Sequence, residues 1–281
     1  MIVLGFDTST SATAVALRLA DGSTTHARDD PPAGAHPGHA TRLLAMAHEL
    51  LVGAGVAWSA VERIAVGVGP GTFTGLRVGV ASARGLAQSL SAELVGVSSL
   101  QALAAAALAA QPAPADTRAA VLAVIDARRG EVFAAAYADT PGGVPTELTS
   151  PAALVPHELA AVLAGAETGA GVGAEAGAGA GADAGAGAGA ETGAGAGAGG
   201  AHWSWLAVGD GALRYREQLQ AAGIPTPPAH SPLHLVDAAA ICELAVHASP
   251  TSLNALAPDY RRRPDAELAL VIAGAADGPV T

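Results

Sequence analysis

The sequence predicts an α/β fold built from two related halves. Three observations carry this. Short apolar strands alternate with segments of helical periodicity through the first 110 residues, the pattern of an α/β layer. A strand, an Asp-containing turn and a second strand occur twice, at Asp7 and at Asp126, an internal echo of a duplicated architecture. The proline-bearing stretch Gln111 to Asp116 separates the two occurrences.

The elements follow in order. Ile2 to Phe6 and Thr13 to Leu19 are apolar runs joined by the polar turn Asp7 to Ala12, which predicts a hairpin, with Ser23 to Ala27 a third strand. His39 to Ala54 has helical spacing, with Leu43, Ala47, Leu50, Leu51 and Ala54 on one face. Ser59 and Glu62 have capping-box spacing for a short turn. Ile64 to Val68 reads as a buried strand, Thr74 to Leu90 as a helix, Ala92 to Val97 as a strand and Ser99 to Ala110 as a helix opened by Ser98 and Gln101. Val121 to Ile125 and Glu131 to Tyr137 form the second hairpin. Pro156 to Leu163 is a helix with proline in its first turn. Trp205 to Val208 is a strand, Ala212 to Ala222 a helix, Ile224 to Pro232 a loop and Leu235 to Ala248 a helix. This places an N-terminal lobe at residues 1–110 and a C-terminal lobe at 111–263, with an irregular tail at 264–281. Residues 165–201 interrupt the second lobe. They are almost entirely Gly and Ala with a few acids, have no period that builds a core, and read as a disordered insert.

Composition excludes several classes. No apolar run reaches the roughly 18 residues of a membrane span. No positive flank precedes the N-terminal apolar residues, which argues against a signal peptide. Cys242 is the only cysteine, so no internal disulfide forms, and the expected compartment is the cytoplasm. All 14 basic residues are arginine, which removes Walker-type, protein-kinase and Schiff-base lysine chemistry. Net charge is −11, and the only basic run is Arg261-Arg262-Arg263, so RNA binding by this chain alone is not expected.

The densest signal is Gly67-Val68-Gly69-Pro70-Gly71-Thr72-Phe73-Thr74-Gly75-Leu76-Arg77-Val78-Gly79, between a strand and a helix. Its glycines permit tight turning or close approach, Pro70 stiffens the turn, and Thr72 or Thr74 can cap the helix. With the opening Gly5-Phe6-Asp7-Thr8-Ser9-Thr10, this string resembles the TsaB family, the dimerisation subunits of the bacterial machinery that makes threonylcarbamoyladenosine in tRNA. The resemblance implies a two-lobed actin-like fold, the acetate-kinase/Hsp70/actin type with ribonuclease H-like lobes. It also implies a non-catalytic scaffold that pairs with the catalytic paralogue TsaD and joins an assembly with the pathway ATPase TsaE. On that reading the chain has no cofactor of its own, with nucleotide only at a subunit interface, and meets tRNA only through the complex; whether it is a homodimer when free stays open. The alternative is a stand-alone actin-like phosphotransferase or a metal-dependent peptidase.

Candidate site residues follow. Asp7, Thr8 and Ser9 sit at a turn that holds phosphate or metal-bound water in actin-like ATPases; the alternative is a turn whose side chains bond their own backbone. Gly209 and Gly211 can approach a nucleoside, or form a strand-to-helix turn with Asp210 as its cap. The catalytic paralogue carries a metal-binding His-x-x-x-His after the strand that follows its Gly-Pro-Gly helix. Here those positions correspond to Ser99 and Leu103, so no metal site is expected. The pairs His36/His39 and His230/His234 lie among prolines and read as solvated loop residues. A small residue every fourth position, Gly75, Gly79, Ala83 and Ala87, lets another helix approach closely. With Leu43, Ala47 and Leu50 of the preceding helix these are the candidate partner interface, the alternative being the chain's own sheet.

Overall fold

The computed structural model describes residues 1–32, 34–111, 117–168 and 202–261. The first half comprises β1 (Val3–Asp7), β2 (Thr13–Arg18), β3 (Thr24–Asp29), α1 (His39–Gly53), β4 (Arg63–Gly69), α2 (Phe73–Leu90), β5 (Glu93–Ser98) and α3 (Ser99–Ala110). Its sheet has the order β3-β2-β1-β4-β5. The β1–β2–β3 hairpins are antiparallel, whereas β4 and β5 are added parallel through helical crossovers. The second half comprises β6 (Thr117–Arg128), β7 (Glu131–Ala138), β8 (Thr146–Glu147), β9 (Ala152–Leu154), α4 (Leu159–Thr168) and β10 (His202–Val208). Its order is β10-β6-β7-β8, with β9 also pairing β7. Antiparallel β6–β7 with parallel β10 repeats antiparallel β1–β2 with parallel β4. The internal echo around Asp7 and Asp126 is therefore a repeat of topology. Helices α5 (Asp210–Arg214), α6 (Arg216–Ala221) and α7 (Ala238–His247) complete the chain.

Apolar patterning distributes these elements into layers. On one face of the first sheet, Leu4, Phe6 and Val15 pack with Leu43 and Met46 of α1 and with Val80 and Ala83 of α2. On its other face, Val3, Ala16 and Val95 pack with Leu100 and Leu103 of α3 and Ile241 and Cys242 of α7, which also meet Val121, Phe133 and Tyr137 of the second sheet. The far face of the second sheet carries Leu122 and Val132, covered by Leu159 and Val162 of α4 and Leu219 of α6. The two halves thus share one central core through α3 and α7. By sequence order α7 belongs to the second half, yet it lies against β1 and β2. Arg63, buried at the start of β4, fastens it. The guanidinium donates to the carbonyls of Ala245 and Ala248 at the C-terminus of α7 and pairs with Glu93 at 2.5 Å.

Several expectations are corrected. Helix α4 runs to Thr168, past the expected start of the insert at Gly165. The helix expected over 212–222 is two pieces that meet at Tyr215. Strands β8 and β9 are too short to show a periodicity of their own. The expected insert beyond residue 168 and the tail at 264–281 lie outside the described residues. Among the described residues no helix is long and apolar enough to cross a membrane.

Candidate functional site

The Asp7 turn is buried and self-satisfied. Asp7, Thr8 and Ser9 are all at most 1% exposed. The Ser9 amide and hydroxyl both donate to Asp7 Oδ1, at 2.8 and 2.7 Å. Ser99 Oγ donates to Asp7 Oδ2 at 2.6 Å, and Thr8 Oγ1 donates to the Gly75 carbonyl at 2.7 Å. The Thr72 amide donates to the Ser9 carbonyl at 2.7 Å. These bonds use the turn's own donors and acceptors, as in an ordinary Asx turn.

The glycine string explains the burial. A Cβ at Gly71 would stand 2.6 Å from Ser9 Cβ, one at Gly79 would stand 2.5 Å from Thr8 Oγ1, and one at Gly67 would collide with the Asp7 carboxylate. The string lacks side chains because the Asp7–Ser9 turn occupies that space. The stripe Gly75, Gly79, Ala83 and Ala87 therefore faces the chain's own first sheet and turn. Leu43 and Ala47 are buried in the same core and Leu50 is half-buried against it. Of the seven residues expected at a partner interface, six are buried inside the chain and Leu50 is half-buried, with α1 packed on β2 and β3 and α2 on β4.

The second turn is likewise closed. Asp210 Oδ1 accepts from the Asp126 amide at 2.9 Å, and Arg214 donates to Asp126 Oδ2 at 3.1 Å. Burial raises the Asp210 carboxyl above the usual carboxylate range. Asp210 thus ties α5 to β6. A Cβ at Gly211 would lie 2.8 Å from Val124 Cγ1, and at Gly209, with φ +108°, a Cβ would collide with the Val124 carbonyl. Both glycines serve the packing of α5 on β6.

Two histidines expected in solvent are buried. His39 opens α1 with Nδ1 2.9 Å from Thr13 Oγ1, while its Nε2 is buried without a hydrogen-bond partner. Desolvation holds its pKa below the usual 6.5, against the pull of Asp7. His234 is 2% exposed and sits between the Gly209 and Pro227 carbonyls at 3.1 and 3.2 Å. Leu103 is core. Cys242 is fully buried under Gly5, and burial pushes its thiol up to about 12. Among the described residues no three His, Cys, Asp or Glu side chains gather as a metal-binding group.

A cleft of about 840 Å³ opens between the β2–β3 hairpin, α3, α7 and the turn at Gly142 and Gly143. Its walls are mainly alanine. Its charged rim is already engaged, with Arg28 on Asp30 and the Val236 carbonyl, Glu243 on Arg18, and Asp237 capping α7. It coincides with neither Asp turn.

Two lobes of matching topology joined across shared helices, each with an Asp-bearing first hairpin, define a two-lobed α/β protein of the actin-like type. The family profile described as TsaD: tRNA N6-adenosine threonylcarbamoyltransferase matches residues 30–155. The tRNA threonylcarbamoyladenosine biosynthesis protein TsaB of Escherichia coli K12 is 38% identical over 144 residues, 51% of this chain and 58% of that protein. Its namesake in Haemophilus influenzae is 39% identical over 133 residues, 47% of this chain and 52% of that protein. The solved structure of YeaZ from Pseudomonas aeruginosa superposes with a TM-score of 0.65 at 28% identity, covering 92% of this chain and 100% of that one. In sequence and in fold the chain is TsaB/YeaZ-like. Its matched segment spans about half the length of the TsaB sequences.

Proposed function

We propose that this chain is an accessory, dimerising subunit in the synthesis of threonylcarbamoyladenosine in tRNA. It pairs with a catalytic TsaD-like paralogue in an assembly that also takes in the pathway ATPase, and performs no chemistry alone. The single observation that carries this is the closed Asp7 turn. The carboxylate that would face phosphate or metal-bound water is bonded by Ser9 and Ser99 and covered by the glycines of the Gly-Pro-Gly string. The position that would carry the second metal ligand is the core residue Leu103. The TsaB relatives and the TsaD profile support the choice of pathway.

With the small-residue stripe turned inward, the pairing surface is the outward face of α1 and α2. Leu44 and Val52 are 48% and 64% exposed and share one α1 face two turns apart, and Ala81 and Gln88 of α2 are exposed as well. The paired substitution Leu44→Asp with Val52→Asp leaves the fold intact and abolishes capture of the catalytic paralogue, read by size exclusion and circular dichroism. Wild-type capture by that variant refutes this surface. ATP turnover or threonylcarbamoyl transfer by the purified chain alone refutes the accessory reading and favours a stand-alone enzyme.

A further inference from the structure

Two larger residues of the string, Phe73 and Arg77, meet the C-terminal segment at the surface instead of the Asp7 turn. The Arg77 guanidinium lies 3.7 Å over the Phe73 ring, and its Nε donates to Tyr260 Oη at 3.1 Å. Phe73 and Tyr260 form a tilted pair with centroids 5.1 Å apart, and Tyr260 is 43% exposed. The segment is pinned beneath them. The Asp259 amide donates to the Val68 carbonyl at 2.8 Å, and Arg261 pairs with Asp259 at 2.6 Å and donates to the Pro151 carbonyl at 3.1 Å. Arg84, two helical turns beyond Arg77 on the same flank of α2, holds the Asn254 carbonyl at 3.2 Å. In a chain of net charge −11 with 14 arginines, this flank gathers Arg77, Arg84 and Arg261, and the sequence continues with two more.

We infer that Phe73, Arg77, Tyr260 and Arg261 form a contact for a single-stranded RNA loop. Tyr260, backed by the half-buried Phe73 and set beside fixed guanidinium groups, suits an unpaired base stacked on its ring and phosphates held by arginine, chemistry a duplex cannot use. The assignment rests on the proposed role in tRNA modification, and places part of the tRNA on this subunit within the complex. An acidic protein would meet the arginines but leave the aromatic pair without a stacking partner.

The test uses the full chain reconstituted with its catalytic paralogue. Fluorescence anisotropy follows a tRNA anticodon stem-loop, a fully paired RNA of equal length and poly-glutamate across a salt series. Tyr260→Ala weakens stem-loop binding about 5- to 150-fold, the range for loss of one stacked base, whereas Tyr260→Phe retains it. Arg261→Gln lowers the salt slope by about 0.7, the value for one phosphate on a single strand. Circular dichroism melts confirm that each variant is folded. The inference is overturned if Tyr260→Ala binds the stem-loop as wild type does, if paired RNA binds equally well, or if poly-glutamate is the ligand that responds. Pairing with the paralogue is measured in the same samples. Pairing intact with unchanged RNA binding overturns this patch alone, while a wild-type chain that never pairs overturns the accessory reading itself.

Discussion

Gly75 and Gly85 lie ten residues apart in α2, and the same substitution at each has opposite consequences. A Cβ at Gly75 would stand 2.6 Å from Thr72 Oγ1 and 3.1 Å from the Thr8 carbonyl carbon, and closer still to the Thr8 oxygen; ordinary contact begins near 3.4 Å. The Thr72 hydroxyl can rotate away, but the Thr8 carbonyl is backbone and cannot. The Asp7–Ser9 turn and α2 must separate, which costs about 1–3 kcal/mol as overpacking. The bond from Thr8 Oγ1 to the Gly75 carbonyl is strained as well, worth about 1 kcal/mol. Alanine returns about 1 kcal/mol of helix propensity, so Gly75→Ala loses roughly 1–3 kcal/mol net. A chain this size shifts by about 2–4 °C per kcal/mol, so Tm falls by about 2–12 °C. At Gly85 nothing lies within 4 Å of a Cβ and the residue is exposed. There the propensity gain stands alone, about 0.5–1 kcal/mol, and Tm rises by about 1–4 °C. Differential scanning calorimetry of both variants, with urea titration for ΔG, decides the matter. A Gly75→Ala protein as stable as Gly85→Ala would refute the close packing of α2 on the Asp7 turn.

Further outcomes follow from other buried groups. Arg63→Met removes the charged donor from the C-terminal carbonyls of α7 and costs about 2–3 kcal/mol by urea denaturation, while the equally conservative exposed change Arg42→Met stays within about 0.5 kcal/mol. Cys242, its thiol pushed up to about 12, resists iodoacetamide in the native protein at pH 8 and reacts only in denaturant, as mass spectrometry will report. His39 is held below its ordinary 6.5, so the unfolded chain binds its proton first. The stability its burial contributes is complete above pH 6.5 and is lost as pH falls from there through the folded value. Urea midpoints between pH 7.5 and 5 therefore decline less steeply in His39→Gln than in wild type.

Local chemistry determined much of this protein. The strands of the first sheet, helices α1 to α3 and the second hairpin were legible because their apolar residues recur at period 2 or 3.6, and Ser98 accepts from the Gln101 amide as its spacing implies. The two Asp turns and the glycine string were legible as motifs, and the string carried the resemblance to TsaB. Tertiary structure alone decided what the motifs do. Nothing near Asp7 marks Ser99, 92 residues away, as its bonding partner, or shows that the glycines are small to admit that turn. The spacing of Gly75, Gly79, Ala83 and Ala87 specifies a face on which close approach is possible and leaves its neighbour open. The neighbour is the chain's own sheet, because β1 and β4 must bury Phe6 and Val66. His39 and His234 sit among prolines and glycines in sequence, and become buried only where α1 and the Pro232–His234 turn meet other elements. Tyr260 meets Phe73 only after the chain has crossed both lobes, a contact between residues far apart in sequence that no local periodicity encodes.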